Sequence, residues 1–327
     1  MAWDADLDQA RCRVRRWRRC SRSDPCSGEA AAMILTNGLA QGLIFFAGFC
    51  VVVLLYERLR IAFRKSAPKI TLDPAEVSKL RARIARMARP ALSLGPAPSP
   101  AFSKIGGRPE LASDVSWPVG EEGPLAFVAQ IDLEAVKSEI GFDWLPEEGR
   151  IYLFFDDERN GLADCGKIIF TRAAPGPEAN PPQPLPKHRR FDERRVNFRR
   201  FTSLPSEDWL GEEWPSGLSL GEGATLEEAT FGDDPDHRVG GYPSEIQASQ
   251  MFLECEYLHR GLTLDYRAPV PDDLLQASRQ WRLLLQIDSD PALKMNWWDG
   301  GRLYVFARTR DVKRGDFSKT VTITQTH

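Results

Sequence analysis

Cysteine and histidine are scarce, six and four in 327 residues, and neither is grouped in a way that supports chemistry. Cys12, Cys20 and Cys26 precede a hydrophobic stretch, Cys50 lies inside it, and Cys165 and Cys255 fall in the long remainder. Two cysteines in so long a segment make no disulfide framework and no CxxC, so that part reads as living in a reducing compartment. His188, His237, His259 and His327 show no HxxxH or HExxH spacing, so no metal site and no cofactor is expected. The DxD of Asp288, Ser289 and Asp290 is a triplet that chance supplies readily. P-loop, Rossmann and GxSxG patterns are absent. A strong charge of one sign is also missing: the net charge is −3, which gives no global attraction to nucleic acid or acidic lipid.

Apolar bulk is plentiful, with nine Trp and 17 Phe, enough for a sizeable core. From Ala30 to Tyr56 no residue is charged. As a helix, residues 34–56 span about 34 Å, matching a hydrocarbon layer of about 30 Å. VVVLLYERLR (51–60), across the end of the span, offers no small-residue cleavage point, so Ile34 to Tyr56 is expected to be a retained, single-pass transmembrane helix. Gly38 and Gly42 form a GxxxG through which two such helices could pair as a homodimer; a glycine-tolerant span without a partner reads the same way.

The direction of this anchor depends on the start. Within twenty residues on either side, five basic residues precede it (Arg15, Arg16, Arg18, Arg19, Arg22) and five follow it (Arg58, Arg60, Arg64, Lys65, Lys69), a tie under the positive-inside rule. Residues 1–33 lack periodicity and read as a disordered or mis-assigned leader. If Met33 begins the protein, the tie breaks and the globular domain faces the cytoplasm.

Residues 57–101 read as a basic juxtamembrane helix and a linker. Asp73, Pro74 and Glu76 make a helix start, Leu80, Ile84 and Met87 recur at helical spacing, and Pro90 ends the run. LSLGPAPSPAF (92–102) is expected to be a proline-rich link without partners. The folded domain would then occupy residues 102–327.

Within it an ordered set of features occurs twice. Gly106-Gly107-Arg108-Pro109, FVAQID and GRIYLFF are followed by Gly240-Gly241-Tyr242-Pro243, LLQID and GRLYVFA. This is an internal duplication, with repeats at about 102–170 and 237–310. The apolar runs are rich in β-branched and aromatic residues and too short for helices. Helices are expected only at residues 133–140, 244–258 and 272–278. The fold class is therefore α+β, dominated by antiparallel sheet.

SKIGGRPELASDVSWP, PLAFVAQIDL, LPEEGRIYLFF, HRVGGYPSEIQ and WWDGGRLYVFARTRD together resemble the YwqG-like family, a bacterial domain of unknown function, over about residues 102–320. The resemblance rests on Gly241, Tyr242, Pro243, Ile246 and Gln247 and on Trp297, Trp298, Asp299 and Gly301, with Trp298 where the family pattern has glycine. It implies a β-rich fold and no established activity.

Between the repeats, the six prolines of APGPEANPPQPLP (174–186) dictate loop. KHRRFDERRVNFRR follows, and then an acidic stretch. That neighbour would repel a polyanion, so internal pairing or a solvated strand is expected, with an anion or protein contact as the rival and nucleic acid not expected.

The repeated QID carries the most informative polar pattern. Were the halves to form a cleft, Gln130, Asp132, Gln286 and Asp288 could converge near Asp299 and His237 and do acid–base work. The plainer reading has glutamine satisfying buried backbone and aspartate capping the next turn, as expected of Asp132 before LEAVKSEI. The leading expectation is a non-catalytic binding module for a protein or small ligand. Its contacts would be Trp117, Gln130, Tyr242, Gln247, Gln286, Trp297 and Trp298 in a groove between repeats. The alternative is a hydrolase or transferase using Asp132, Asp288 and Asp299, with His237.

Overall fold

Residues 92–96, expected to be linker, instead belong to the strand at the middle of the sheet. The computed structural model describes residues 74–97, 101–205, 235–247, 250–265 and 267–327. Helix α1 (Pro74–Met87) leads into strand β1 (Arg89–Pro96). β1 pairs along its length with β8 (Arg194–Ser203) and on its other side with β9 (Arg238–Gly240). The prolines misled because they sit near the two ends, Pro90 and Pro96, where a missing N–H does least harm to a ladder. Ala91, Leu92, Ser93 and Leu94 between them are all buried. The second half of the basic run, from Arg194, belongs to β8, a paired strand with many exposed positions.

Among the described residues, ten strands form one sheet in the order β12-β11-β10-β9-β1-β8-β2-β5-β6-β7. The others are β2 (Lys104–Ile105), β5 (Ala126–Asp132), β6 (Arg150–Phe155), β7 (Gly166–Thr171), β10 (Trp281–Asp288), β11 (Arg302–Arg308) and β12 (Val321–Gln325). Every neighbouring pair is antiparallel. A short hairpin, β3 (Val119–Gly120) with β4 (Gly123–Pro124), stands apart. The two sheet edges curl toward each other: Thr322 N of β12 donates to Ala163 O, just before β7, at 2.8 Å. Thr324 Oγ1 meets Asn160 Oδ1 at 3.1 Å. The result is a nearly closed barrel, which leaves little free strand edge.

Among the described residues the remaining helices are few and short: α2 (Leu133–Glu139), α3 (Met251–His259), α4 (Asp272–Ser278) and α5 (Thr309–Val312). The helix expected from Ser244 begins only at Met251. Side chains hold the residues before it: Ser244 N donates to Gln286 Oε1 at 2.9 Å, and Ile246 N to Gln325 Oε1 at 2.9 Å. Among the described residues no helix is long and apolar enough to cross a membrane. The 34–56 span, the Gly38/Gly42 face, Met33 and Asp73 lie outside the described residues.

The duplication is visible in the registers. Lys104 pairs with Gln130 and Arg238 with Gln286; Gln130 then pairs with Tyr152, and Gln286 with Tyr304. β5 and β10 carry a bulge at the same place, Phe127/Ala129 and Leu283/Leu285. The sheet order reads alike from either end about the β1·β8 pair, where Gly95 faces Asn197. Each repeat therefore starts one strand earlier than its motifs suggest, at β1 and at β8. These first strands are exchanged, since β1 lies beside β9 and β8 beside β2.

Alternation along the strands splits the apolar residues between two faces. Leu92, Ile105, Ile131, Leu153, Val196, Val239, Ile287 and Val305 belong to the core inside the barrel. On the outside, α3 covers Tyr304, Phe306 and Trp281 in the second repeat. The matching face of the first repeat, Phe127, Tyr152 and Phe154, is packed by Phe102, Val115 and Trp117 from loops.

Candidate functional site

Both QID glutamines face outward beneath the loop that follows each Gly-Gly pair. Gln130 accepts from Glu110 N (2.9 Å) and donates to Phe102 O (2.7 Å). Gln286 accepts from Ser244 N (2.9 Å) and donates to Asp236 O (2.9 Å). Four strands lie between β5 and β10 in the sheet, so the structure does not bring the two motifs into one cleft.

The aspartates occupy different environments. Asp132 caps α2, accepting from Glu134 N at 3.3 Å. Asp288 is buried, accepts from Asp236 N (2.9 Å) and Ser289 N (2.9 Å), and pairs with Arg302 Nε at 3.1 Å. Asp299 is exposed on a turn.

His237 does lie beside Asp288. Its Nδ1 accepts the Asp288 N–H at 3.1 Å, so Nε2 carries the proton and faces Asp290 Oδ2 at 3.4 Å. Arg194 also pairs with Asp290. The hydrogen bond from His237, aided by Arg194, holds the Asp290 carboxyl below the usual range against the opposing effect of burial. Asp236 is paired with Arg238. Each carboxylate here thus has a cation and almost no exposure, which makes a structural ion network rather than an accessible acid–base pair. Among the described residues no group of three or more His, Cys, Asp and Glu is arranged to hold a metal ion.

The aromatic candidates also separate. Tyr242 is buried, its hydroxyl donating to Met87 O at 2.9 Å and its ring lying 4.2 Å below the Arg89 guanidinium. Trp297 is buried between Phe155 (5.2 Å) and Phe191 (5.6 Å). Gln247 donates from Nε2 to Thr326 O at 2.9 Å. Trp298 is exposed and adopts φ 58°, the left-handed angle that a glycine would take without strain. Trp117 is half-buried, bonded through Nε1 to Leu125 O at 3.1 Å.

Of these residues, only Trp117 lines a cleft of about 330 Å³ on the outer face of the first repeat. Its apolar walls are Trp117, Phe127, Phe191, Pro184 and Leu185. Three arginines border it. Arg108 is engaged by Glu178 (2.7 Å) and Asn180 (3.0 Å), and buried Arg189 by Asp157 (2.6 Å) and Glu158 (3.1 Å). Arg190 is exposed and donates from Nε to Leu185 O at 2.5 Å. An apolar concavity with a few placed polar groups is the usual form of a small-ligand site. Sequence reasoning missed Phe127, Leu185, Arg190 and Phe191; the signal was Phe191, early in the basic run that follows the proline-rich loop.

No curated protein matches the chain. A family model described as "Domain of unknown function (DUF1963)" matches residues 103–325, from β2 to the end of β12, without β1. The chain belongs to the DUF1963 family, a domain of unknown function.

Proposed function

We propose that this protein is a YwqG-like binding module, tethered to a membrane through residues 34–56 with its domain in the cytoplasm, that recognises a small ligand without transforming it. One observation carries the reading. The domain has an apolar, aromatic-lined cleft, while the carboxylates expected to act as acid or base are capping a helix, buried in ion pairs or alone on a turn. The ligand site is therefore assigned to the first repeat rather than to a groove between repeats. A helix cap, a buried ion-pair partner and an exposed turn residue, Asp132, Asp288 and Asp299 give no support to a hydrolase or transferase.

A thermal-shift screen of small molecules against the full chain in detergent tests this. A ligand of the folded state raises the melting temperature by mass action. The expected hits lose their effect in Trp117→Ala and Phe191→Ala. Hits that stabilise wild type and both variants equally would remove the cleft from consideration. Alkaline extraction tests the tether: the full chain should stay with membranes, and a chain starting at residue 57 should not.

A further inference from the structure

One of the equivalent positions at which the outer faces of the two repeats differ lies at the cleft. After Gly240-Gly241 stands Tyr242, whose ring packs against Phe252 with centroids 6.4 Å apart and lies under Arg89. After Gly106-Gly107 stands Arg108, whose side chain turns outward to Glu178 and Asn180 and is 55% exposed.

Three walls of the cleft have counterparts around the Tyr242 ring. Asp192 lies beside Gly106 as Pro90 lies beside Gly240, and Glu193 crowds Gly107 as Ala91 does Gly241. Phe191 thus stands where Arg89 stands. Phe127 takes the place of Leu283, one residue before the shared bulge. Trp117 meets Phe154 edge-on at 5.4 Å, as Phe252 meets Phe306 at 5.4 Å. The first repeat therefore keeps three walls of a tyrosine seat and places no tyrosine in it.

We infer that this cleft takes a planar aromatic ring carrying an anionic group, seated between Trp117 and Phe191 as the Tyr242 ring is seated between Phe252 and Arg89. A cavity of about 150 Å³ holds benzene, so 330 Å³ has room for a ring and a substituent. Aromatic walls favour a ring over an aliphatic group of equal size. The charge follows from Arg190: Arg108 and Arg189 each carry a carboxylate, whereas Arg190 has none within ion-pair distance among the described residues. The inference rests on the binding-module reading and narrows it to a ligand class.

The test is calorimetric titration of the full chain in detergent with three probes: 4-hydroxyphenylacetate, cyclohexylacetate (same charge, no aromatic ring) and 4-ethylphenol (aromatic ring, no charge). The first should bind at least tenfold more tightly than either other. Arg108→Tyr should refill the seat from the chain and weaken the first probe at least tenfold without lowering the melting temperature. Should that variant fail to fold, Phe127→Trp fills the cleft from another wall with the same expected loss. Arg190→Ala should abolish only the preference for the charged aromatic over the neutral one. Equal affinity for all three probes, lost on filling the cleft, would overturn the ligand class and leave the cleft a binding site. Binding unchanged by both filling variants would overturn the class and the cleft together.

Discussion

Gln130 and Gln286 make the same two hydrogen bonds in opposite halves of the barrel, each accepting from the loop after its own Gly-Gly pair and donating to the residue two before its own paired basic residue. Both are fully buried. Removing either side chain leaves a buried N–H and C=O without their partner, which costs about 1–3 kcal/mol. Gln130→Ala and Gln286→Ala should therefore destabilise by similar amounts in urea titrations. A loss below about 0.5 kcal/mol for either would show that its loop is held by other means, since such a change lies in the range of neutral surface substitutions.

Asp132 and Asp288 occupy matching positions but should respond differently. Asp132→Ala removes one helix cap and should cost about 1 kcal/mol. Asp288→Ala strips Arg302 and two buried N–H groups of their acceptor, and breaking a buried pair costs about 3–5 kcal/mol. Equal losses in chemical denaturation would contradict the asymmetry.

Asp290 gives an acid-sensitive contribution. Its carboxyl is held below the ordinary range by His237 and Arg194, so the stabilisation is complete above about pH 4, the unfolded value, and is lost as pH falls through the lower folded value. Asp290→Asn, which cannot gain or lose that charge, should be clearly less stable than wild type at pH 7, and the gap should narrow below pH 4. Melting temperatures from pH 7 to 3 measure it; a gap constant across that range would refute the assignment.

The duplication, the antiparallel class and the capping role of Asp132 were legible in the sequence because each depends on local chemistry: alternation, glycine pairs and a carboxylate ahead of a helix. β1 was not. Its apolar run is only four residues between prolines, and its partners lie far away at Arg194–Ser203 and Arg238–Gly240. The exchange of first strands is likewise a relation between distant segments that no local pattern records. Tyr242 read as an exposed contact because its cover comes from Arg89 and Phe252, neither of which is its neighbour in sequence. The cleft escaped notice because its signal is a difference between repeats, Arg108 where Tyr242 has its counterpart, and similarity had been the guide.

Barrel closure makes the last prediction, and it concerns a glycine needed for space rather than for backbone freedom. Gly166 opens β7 at one sheet edge, and a Cβ there would stand 3.0 Å from Thr322 Cγ2 of β12 at the other. Thr322 is also the residue whose N–H bonds Ala163 O across the seam. Gly166→Ala should push the edges apart and cost about 1–3 kcal/mol, the usual penalty of overpacking. Gly141→Ala, where no atom lies within 4 Å, is the control and should stay within about 0.5 kcal/mol of wild type. Because the clash is with one side chain, trimming that side chain should relieve part of it. The cost of Gly166→Ala in a Thr322→Ala background should fall by at least 0.5 kcal/mol, the lower limit for residues in contact. Hydrogen exchange at the Thr322 amide should quicken in the single variant. If the two substitutions add within about 0.3 kcal/mol and the amide stays protected, the edges do not meet, and the sheet is open rather than a nearly closed barrel.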